Sequence, residues 1–254
     1  MHDQPVENQP GVEPTGYAYL SDAVSQFSSG RLRIHHHTRD NSPLLRQTFE
    51  DPDAVLNDPT CQIVKSDRTT TVGVISLDGR RFIVKRYNTK NLWHYVRRSV
   101  RRARAENCWH FAHLLPGLGI STAPAVAWIQ ETAGPLKARS WFVSEFTEGP
   151  TCLEYLKPGV DLSRAQAIMG RIVEALKILR EHRITHGDLK ASNILLRWER
   201  PVLIDLDAMR QHRTVSSYHN ALNNDVCRFL QNWQNSPQLL DIARRLLAAE
   251  KFPA

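Results

Sequence analysis

The hydrophobic and polar positions of this chain follow a period of about two in some segments and of about 3.6 in others. Residues 61–64, 71–77 and 81–86 form short runs in which apolar, mostly β-branched side chains alternate with polar ones, a pattern that predicts β-strands. Asp78-Gly79 separates the second run from the third, and this dipeptide favours the tight turn of a β-hairpin. We therefore expect Lys85 on the second strand of a hairpin.

Helical spacing follows the hairpin. From Leu92 to about Pro116-Gly117, apolar residues recur every three or four positions and arginines occupy the other faces, which predicts one or two basic amphipathic helices. Residues 125–129 and 141–146 predict two more strands, because both are rich in β-branched and aromatic side chains. The remaining predicted elements are a linker at residues 147–150, a short helix at 152–156 and a buried helix at 163–182.

The N-terminal segment carries weaker signals. Residues 1 to about 16 are rich in acids and prolines, so we expect them to be disordered and not to form a secretory signal. Residues 28–41 are polar and show no clear period. The adjacent histidines His35, His36 and His37 do not converge on one ion without further ligands, so no metal site is predicted there.

Composition changes this picture at one place, where positive charge is concentrated. A mean hydropathy of −0.41 and the absence of a long apolar run argue against an integral membrane protein. The four cysteines are widely spaced and are expected to be reduced and structural. Ten basic residues and no acid lie between Arg80 and Arg104, and removing them leaves 23 basic against 26 acidic residues. Such a segment suits an anionic partner: membrane headgroups, a phosphorylated substrate or nucleic acid.

The candidate chemistry is concentrated between residues 184 and 207. The sequence reads ITHGDLKASNILL from Ile184 and PVLIDLD from Pro201. It resembles the kinase catalytic loop, H-R-D-x-x-x-x-N, followed by the strand that ends in the magnesium-binding aspartate. Phosphoryl transfer needs a carboxylate that deprotonates the attacking hydroxyl and oxygen ligands that hold magnesium ions.

Each position of this motif has a candidate role. Asp188 fits the base, and Asn193 and Asp205 fit the metal ligands. Lys190 is expected near the transferring phosphoryl group, where it would stabilise developing charge. His186 is expected to support the loop through hydrogen bonds, because this chemistry already has its base. A metal-dependent hydrolase could also use Asp188 and Asp205, but it leaves Asn193 unexplained.

Upstream residues supply the nucleotide side of such a site. In kinases a strand lysine contacts the α and β phosphates and pairs with a glutamate on the following helix. Phe82-Ile83-Val84-Lys85 matches this pattern in character, and Glu106 is the first acid after the basic stretch, so we predict a Lys85–Glu106 pair. Glu145-Phe146-Thr147 falls where a hinge would hold adenine by backbone hydrogen bonds. The glycine-rich phosphate loop is poorly matched, because residues 65–73 contain a single glycine, Gly73.

Taken together, the chain resembles the bacterial lipopolysaccharide kinase (Kdo/WaaP) family. The resemblance covers about residues 61–233 and includes residues 224–230, while Gly187 stands where regulated protein kinases have an arginine and no A-P-E motif follows. It implies an α+β, two-lobed protein-kinase-like fold. The expected parts are an N-terminal extension (1–44), a β-rich N-lobe (45–146) and a minimal, mainly helical C-lobe (147–254).

The resemblance also implies a function. It implies an ATP-dependent phosphotransferase that uses Mg²⁺ and phosphorylates a heptose or Kdo hydroxyl of the lipopolysaccharide inner core, a lipid-anchored anionic glycan. The expected location is the cytoplasmic face of the inner membrane, with the basic helix from Arg97 to Arg104 on the anionic lipid surface. A small atypical protein Ser/Thr kinase and a non-catalytic kinase-fold binding protein remain open alternatives. A nucleic-acid partner is not expected, because it would explain the arginines but not Asp188, Asn193 and Asp205.

Overall fold

An antiparallel sheet makes up much of the first half of the molecule. The computed structural model describes residues 24–88, 102–133, 136–157 and 159–253. The strands of the sheet are β1 (Val24–Ser29), β2 (Leu32–His37), β3 (Gln62–Ser66), β4 (Thr70–Leu77), β5 (Arg80–Tyr87), β6 (Ala125–Ala133) and β7 (Leu136–Glu145). They lie in the order β1-β2-β6-β7-β5-β4-β3.

The predicted hairpin forms the part of the sheet that carries Lys85. Strands β4 and β5 pair without a bulge, and their turn residues Asp78 and Gly79 have positive φ angles of 53° and 72°. These angles are typical of the tight turns that fit the twist of a hairpin. Lys85 pairs with Val72 on β4 and with Phe142 on β7, so its backbone is held on both sides.

The hairpin of β1 and β2 was not predicted. It overlaps the polar segment at residues 28–41 and adds to the sheet beside β6. The period of two is hidden because β2 buries a histidine, His36, at 3% exposure beside the fully buried Ile34. His35 stacks on Trp128 of β6, with ring centroids 4.4 Å apart. Residues 24–37 of the predicted N-terminal extension therefore belong to the sheet, whereas residues 1–23 lie outside the described residues.

Among the described residues, three helices accompany the sheet: α1 (Pro43–Glu50), α2 (Pro52–Asn57) and α3 (Arg104–Gly117). Helix α3 buries Ala105, Cys108, Phe111, Ala112 and Leu115, which recur at helical spacing. It packs on β6 and β7 and also on the short 3₁₀ turn at Leu206–Ala208. Helix α3 thus connects the sheet to the second half of the molecule. Residues 92–101 of the predicted basic helix lie outside the described residues.

The second half is mainly helical. Its helices are α4 (Cys152–Tyr155), α5 (Leu162–Glu181), α6 (Val215–Gln231) and α7 (Pro237–Ala249). It also has two small antiparallel sheets of two strands, β8 (Ile184–Thr185) with β11 (Arg210–Gln211) and β9 (Ile194–Arg197) with β10 (Arg200–Leu203). The predicted helix at 163–182 is confirmed as α5, which buries Ile168, Ile172 and Leu179 in one core with α3 and α7. Helices α6 and α7 were not predicted.

The cysteines and the helix lengths bear on two further predictions. The four cysteines are free thiols, and burial raises the pKa of Cys108 and of Cys152 to about 12. Such thiols are packing residues rather than nucleophiles at neutral pH.

Among the helices of the described ranges, none combines the length and the apolar character that are needed to cross a lipid bilayer.

Candidate active site

A cleft of about 680 Å³ lies between the sheet and the helical half. The predicted site residues that line it are Lys85, Glu145, Phe146, Thr147, Asp188, Lys190, Asn193 and Asp205. Its remaining walls include apolar side chains of β4, β5 and β7, such as Val72, Ile83 and Phe142. An apolar slot with convergent polar groups is typical of a site for a small molecule. The predicted residues Glu106 and His186 lie outside its walls.

The loop that carries Asp188 is anchored from α6. Asp225 is 4% exposed, and its carboxylate accepts hydrogen bonds from the backbone N–H of His186 (2.6 Å) and of Gly187 (2.9 Å). The fully buried His186 holds the other side of the loop, because its Nε2 bonds the carbonyl of Ile204 at 3.1 Å. Burial raises the pKa of Asp225, although the donated hydrogen bonds oppose that shift. The backbone before Asp188 is thus held by residues distant in sequence.

Gly187 is required at its position by the backbone. Its φ is +79°, and a Cβ atom there would lie 2.5 Å from the carbonyl oxygen of Ala208. Most L-residues avoid this φ, and the contact is too short for any side chain. The absence of the kinase arginine at this position therefore has a local steric reason as well.

The carboxylate of Asp188 is surrounded by donors and cations. Lys190 Nζ lies 3.1 Å from its Oδ2, and Arg228 of α6 forms an ion pair with its Oδ1. The Nδ2 group of Asn193 donates to the Asp188 carbonyl at 2.9 Å and to Oδ2 at 3.3 Å. Three of the predicted residues, Asp188, Lys190 and Asn193, are therefore in direct contact.

The predicted Lys85–Glu106 pair is not formed. Lys85 makes its ion pair with Asp205, while the Glu106 carboxylate accepts a hydrogen bond from the backbone N–H of Ala103 at 3.3 Å. Burial alone would lower the pKa of Lys85, but the carboxylates of Asp205 and Asp207 raise it above its ordinary value. Burial opposes ionisation of Asp205, yet Lys85 keeps its pKa below the usual range. Both groups are therefore charged at neutral pH.

Other residues of α3 face the site instead of Glu106. Arg104 Nε lies 2.7 Å from Asp207 Oδ2, and Asn107 Nδ2 donates to the carbonyls of Asp207 (3.2 Å) and Met209 (3.0 Å). Positions 104 and 107 share one face of a helix. Arg104 was predicted as part of a membrane-facing helix, but its guanidinium points to Asp207. Helix α3 thus holds the segment after Asp205 directly.

The hinge segment offers one backbone donor. The N–H of Glu145 donates to the Pro124 carbonyl (2.9 Å) and the N–H of Phe146 to the Arg81 carbonyl (2.8 Å). Among the backbone bonds found outside helices and strands of the described residues, the N–H of Thr147 has no carbonyl acceptor. Of the three predicted hinge residues, Thr147 has the amide that can bond a ligand.

The turn between β3 and β4 is held by its own first residue. Asp67 Oδ1 accepts from the N–H of Thr69 (2.7 Å), the N–H of Thr70 (2.9 Å) and the hydroxyl of Thr69 (2.7 Å). These bonds lower the pKa of Asp67. Gly73 is not part of this turn, because it lies within β4, where a Cβ atom would collide with the Cys61 and Leu56 side chains. The amides that a glycine-rich loop offers to phosphate are used internally here.

Four residues of the site were not predicted as site residues, although residues 224–230 were part of the family resemblance: Arg104, Asn107, Asp225 and Arg228. The signal for α6 was present, because an acid and an arginine three residues apart share a helix face. Their partners, however, lie about 40 residues away in the chain, at Gly187 (38) and Asp188 (40). Sequence spacing carries no information about such contacts.

Comparison with known proteins places the chain in a family. A family model described as the lipopolysaccharide kinase (Kdo/WaaP) family matches residues 58–237. Among solved structures, one described as WaaP in complex with acyl carrier protein is similar with a TM-score of 0.52 and 19% identity, over 83% of this chain and 95% of that chain. At this identity the likeness shows the fold alone. No curated protein matches the sequence.

These matches confirm both the predicted fold and the predicted family resemblance. The sheet with α1 to α3 corresponds to a kinase N-lobe, and the helical half corresponds to a kinase C-lobe. A kinase family of this type implies ATP as the phosphate donor. The chain belongs to the lipopolysaccharide kinase (Kdo/WaaP) family of phosphotransferases.

Proposed function

We propose that this protein transfers the γ-phosphate of ATP to a sugar hydroxyl, of heptose or Kdo, in the lipopolysaccharide inner core. The observation that carries the proposal is the convergence of Lys85, Asp188, Asn193 and Asp205 on one cleft. They come from strand β5, from the 186–193 loop and from the segment after β10, yet together they provide the donors and acceptors of phosphoryl transfer. The family match supports the class of acceptor.

Asp188 acts as the base in this proposal. It follows an anchored backbone, lies in the cleft wall and is 24% exposed in its side chain, so an acceptor hydroxyl can reach it. Lys190 lies 3.1 Å from it and stabilises the charge that develops on the transferred phosphoryl group. Lys85, which stays cationic, binds the non-transferred phosphates, and the Thr147 N–H bonds the adenine ring.

The side chains of Asn193 and Asp205 fit a magnesium ion. The Nδ2 group of Asn193 is used by Asp188, which leaves the amide oxygen as a ligand. Asp205 stays ionised beside Lys85 and supplies a carboxylate. Oxygen donors of this type suit Mg²⁺, which when bound neutralises charge on the ATP phosphates.

We also propose a peripheral contact with the inner face of the inner membrane. Its basis is the sequence charge at Arg97, Arg98, Arg101 and Arg102, since Arg104 is paired with Asp207. Each arginine near an anionic surface adds about 1 kcal/mol of attraction. The full chain should sediment with anionic vesicles at low salt and not with neutral ones. Replacing the four arginines by glutamine should abolish this binding, and equal binding to both vesicle types contradicts the proposal.

The acceptor can be tested directly with labelled ATP and Mg²⁺. An inner-core glycolipid and a mixture of unstructured proteins are offered to the purified enzyme in separate reactions. We expect label in the glycolipid only. Label confined to protein would identify a protein kinase, and no turnover of ATP with either acceptor would identify a non-catalytic member of the family. Mass spectrometry of the core oligosaccharide from a strain that lacks this protein identifies the sugar.

A further inference from the structure

Arg228 contacts the base but is not explained by the chemistry of the base. Its guanidinium pairs with Asp188 Oδ1, while Lys190 and Asn193 occupy Oδ2. A carboxylate that accepts a proton needs one oxygen open to the attacking hydroxyl. Arg228 must therefore leave Asp188 Oδ1 when an acceptor binds.

The ion pair contributes little to folding. The Arg228 side chain is 45% exposed and the Asp188 side chain 24%. Exposed pairs of this kind stabilise a fold by about 0–1 kcal/mol. A second cation, Lys190, already compensates the charge of Asp188 at 3.1 Å. Arg228 thus leaves an excess of positive charge beside the base.

The position of Arg228 is nevertheless fixed by the fold. It lies one helical turn after Asp225, the residue that anchors the catalytic loop, and three residues apart means the same face of α6. Asn232 Nδ2 donates to the carbonyls of Arg228 (2.8 Å) and Phe229 (2.9 Å), which closes the end of the helix. The backbone of Arg228 is therefore held at a constant place relative to Asp188.

Arg228 reaches the base from outside the cleft. The cations that line the cleft are Lys65, Lys85 and Lys190, and among the described residues Arg228 is not part of its walls. It reaches Asp188 from α6, outside the space between sheet and helical half. Its planar fork of N–H donors is suited to two-point binding of a carboxylate or a phosphate.

We propose that Arg228 binds an anionic group of the acceptor, a carboxylate or a phosphate, next to the hydroxyl that receives phosphate. The anion replaces Asp188 as the partner of the guanidinium, which frees Asp188 Oδ1 for the hydroxyl proton. Arg228 thereby selects acceptors in which an anion and a hydroxyl are neighbours. This inference rests on the proposed transfer to an acidic glycan.

The test is a double-mutant cycle in which one change is made in the protein and the other in the acceptor. Three forms of one inner-core glycolipid are used: intact, with its sugar-acid carboxylates reduced to alcohols, and with its phosphates removed. Arg228→Gln should lower kcat/KM on the intact form by about 10- to 100-fold, the range of a charge-assisted contact, mainly through KM. Arg228→Lys should lie between the variant and the wild type, because it keeps the charge and loses the fork.

The anion that Arg228 binds is identified by the loss of additivity. Removing that anion should lower kcat/KM of the wild type by the same factor as Arg228→Gln lowers it on the intact form. The two changes together should lower kcat/KM no further than either change alone. Full additivity with both modified forms would overturn the inference. Arg245→Gln, which breaks an exposed arginine–aspartate pair with Asp241, is the matched control and should behave as wild type on all forms.

The proposed function can fail separately. If the wild type phosphorylates the three forms equally and Arg228→Gln lowers kcat/KM on all three by the same factor, the proposed transfer reaction is retained and the proposed role of Arg228 is wrong. If the wild type labels none of them, both fall. Circular dichroism of Arg228→Gln must match the wild type, and the wild-type-like thermal transition of Arg228→Lys provides a second check that the effect is not unfolding.

Discussion

The catalytic loop and the β3–β4 turn are held in opposite ways. The catalytic loop, residues 186–193, depends on contacts from α6 and from Ile204, which are distant in the chain. The β3–β4 turn at residues 67–70 is held by the side chain of Asp67 alone. The first loop is a product of tertiary structure and the second is a local motif.

This difference predicts how strongly a substitution in or near each loop affects phosphate transfer. A loop that is anchored at a distance positions its side chains accurately, and a change of a distant residue can misplace the reacting groups. A self-contained turn keeps its shape without help but offers few free amides to a ligand. We therefore expect large effects on phosphate transfer from the catalytic loop and its anchors, and small effects from the turn.

The largest effect is expected at the base. Asp188→Ala should lower the rate of phosphate transfer by at least about 10²-fold, the scale of a lost general base, and should leave the fold intact. Transfer of label from ATP measures the rate, and circular dichroism checks the fold. Asp241→Ala removes an exposed aspartate that also pairs with an arginine and should keep full activity. Near-normal activity of Asp188→Ala would show that the base lies elsewhere.

Asp225 should come second, although it touches no reacting group. In Asp225→Asn, one carboxylate oxygen is replaced by a donor that faces the backbone N–H groups of His186 and Gly187. Leaving such buried donors unsatisfied costs about 1–3 kcal/mol, so the free energy of unfolding should fall by this amount. Displacement of Asp188 should lower kcat by about 10- to 100-fold.

The control for this anchor is the same exchange at an exposed position. Asp241→Asn on α7 should change neither the unfolding midpoint in urea nor kcat, because its partner Arg245 is exposed as well. If Asp225→Asn retains wild-type kcat at a temperature where it is folded, the catalytic loop does not depend on α6, and the contrast between the two loops disappears.

Gly187 should have an intermediate effect. Gly187→Ala places a Cβ atom at a φ of +79° and 2.5 Å from the Ala208 carbonyl. The positive φ alone costs about 1–2 kcal/mol. Gly119 has a φ of +78° and open space around it, so Gly119→Ala carries the conformational cost without the collision. We expect a lower melting temperature for both variants and a several-fold lower kcat only for Gly187→Ala.

Sequence reasoning reached the parts of the site that depend on local spacing. Asp188 and Asn193 are five residues apart in one loop, and Lys85 is placed by a hairpin whose turn is readable. These positions line the cleft as expected. The β-rich first half and helix α5 were predicted for the same reason, because their patterns are local.

The errors share the opposite cause. Glu106 was assigned as the partner of Lys85 because it is the first acid after the basic stretch, but the start of α3 at Arg104 decides which residues face inward. At about 100° per residue, Arg104 and Asn107 share a face and Glu106 points about 200° from Arg104. Tertiary contacts determine which face of α3 points to the site, which groups Asp225 binds and why strand β2 buries histidines. The periodicity of the sequence does not reveal these features.

The smallest effect is expected at the β3–β4 turn. Asp67→Asn weakens the bonds to Thr69 and Thr70 and the exposed pair with Lys65, which lies 3.2 Å away. The Asp67 carboxylate is exposed, and the N–H groups of Thr69 and Thr70 are bonded to it within the turn instead of being open to a ligand. The KM for ATP should therefore change by less than about threefold.

Asp58→Asn is the matched control, because Asp58 makes the same bonds with the N–H (2.8 Å) and hydroxyl of Thr60. Lys65 and Val72, which flank the β3–β4 turn, line the cleft, whereas none of residues 58–61 does. Equal, small changes in the two variants mean that the β3–β4 turn contributes a local shape and little binding. A tenfold higher KM for ATP in Asp67→Asn alone contradicts this. The turn would then bind the ATP phosphates despite its internal hydrogen bonds, and both loops would contribute directly to the reaction.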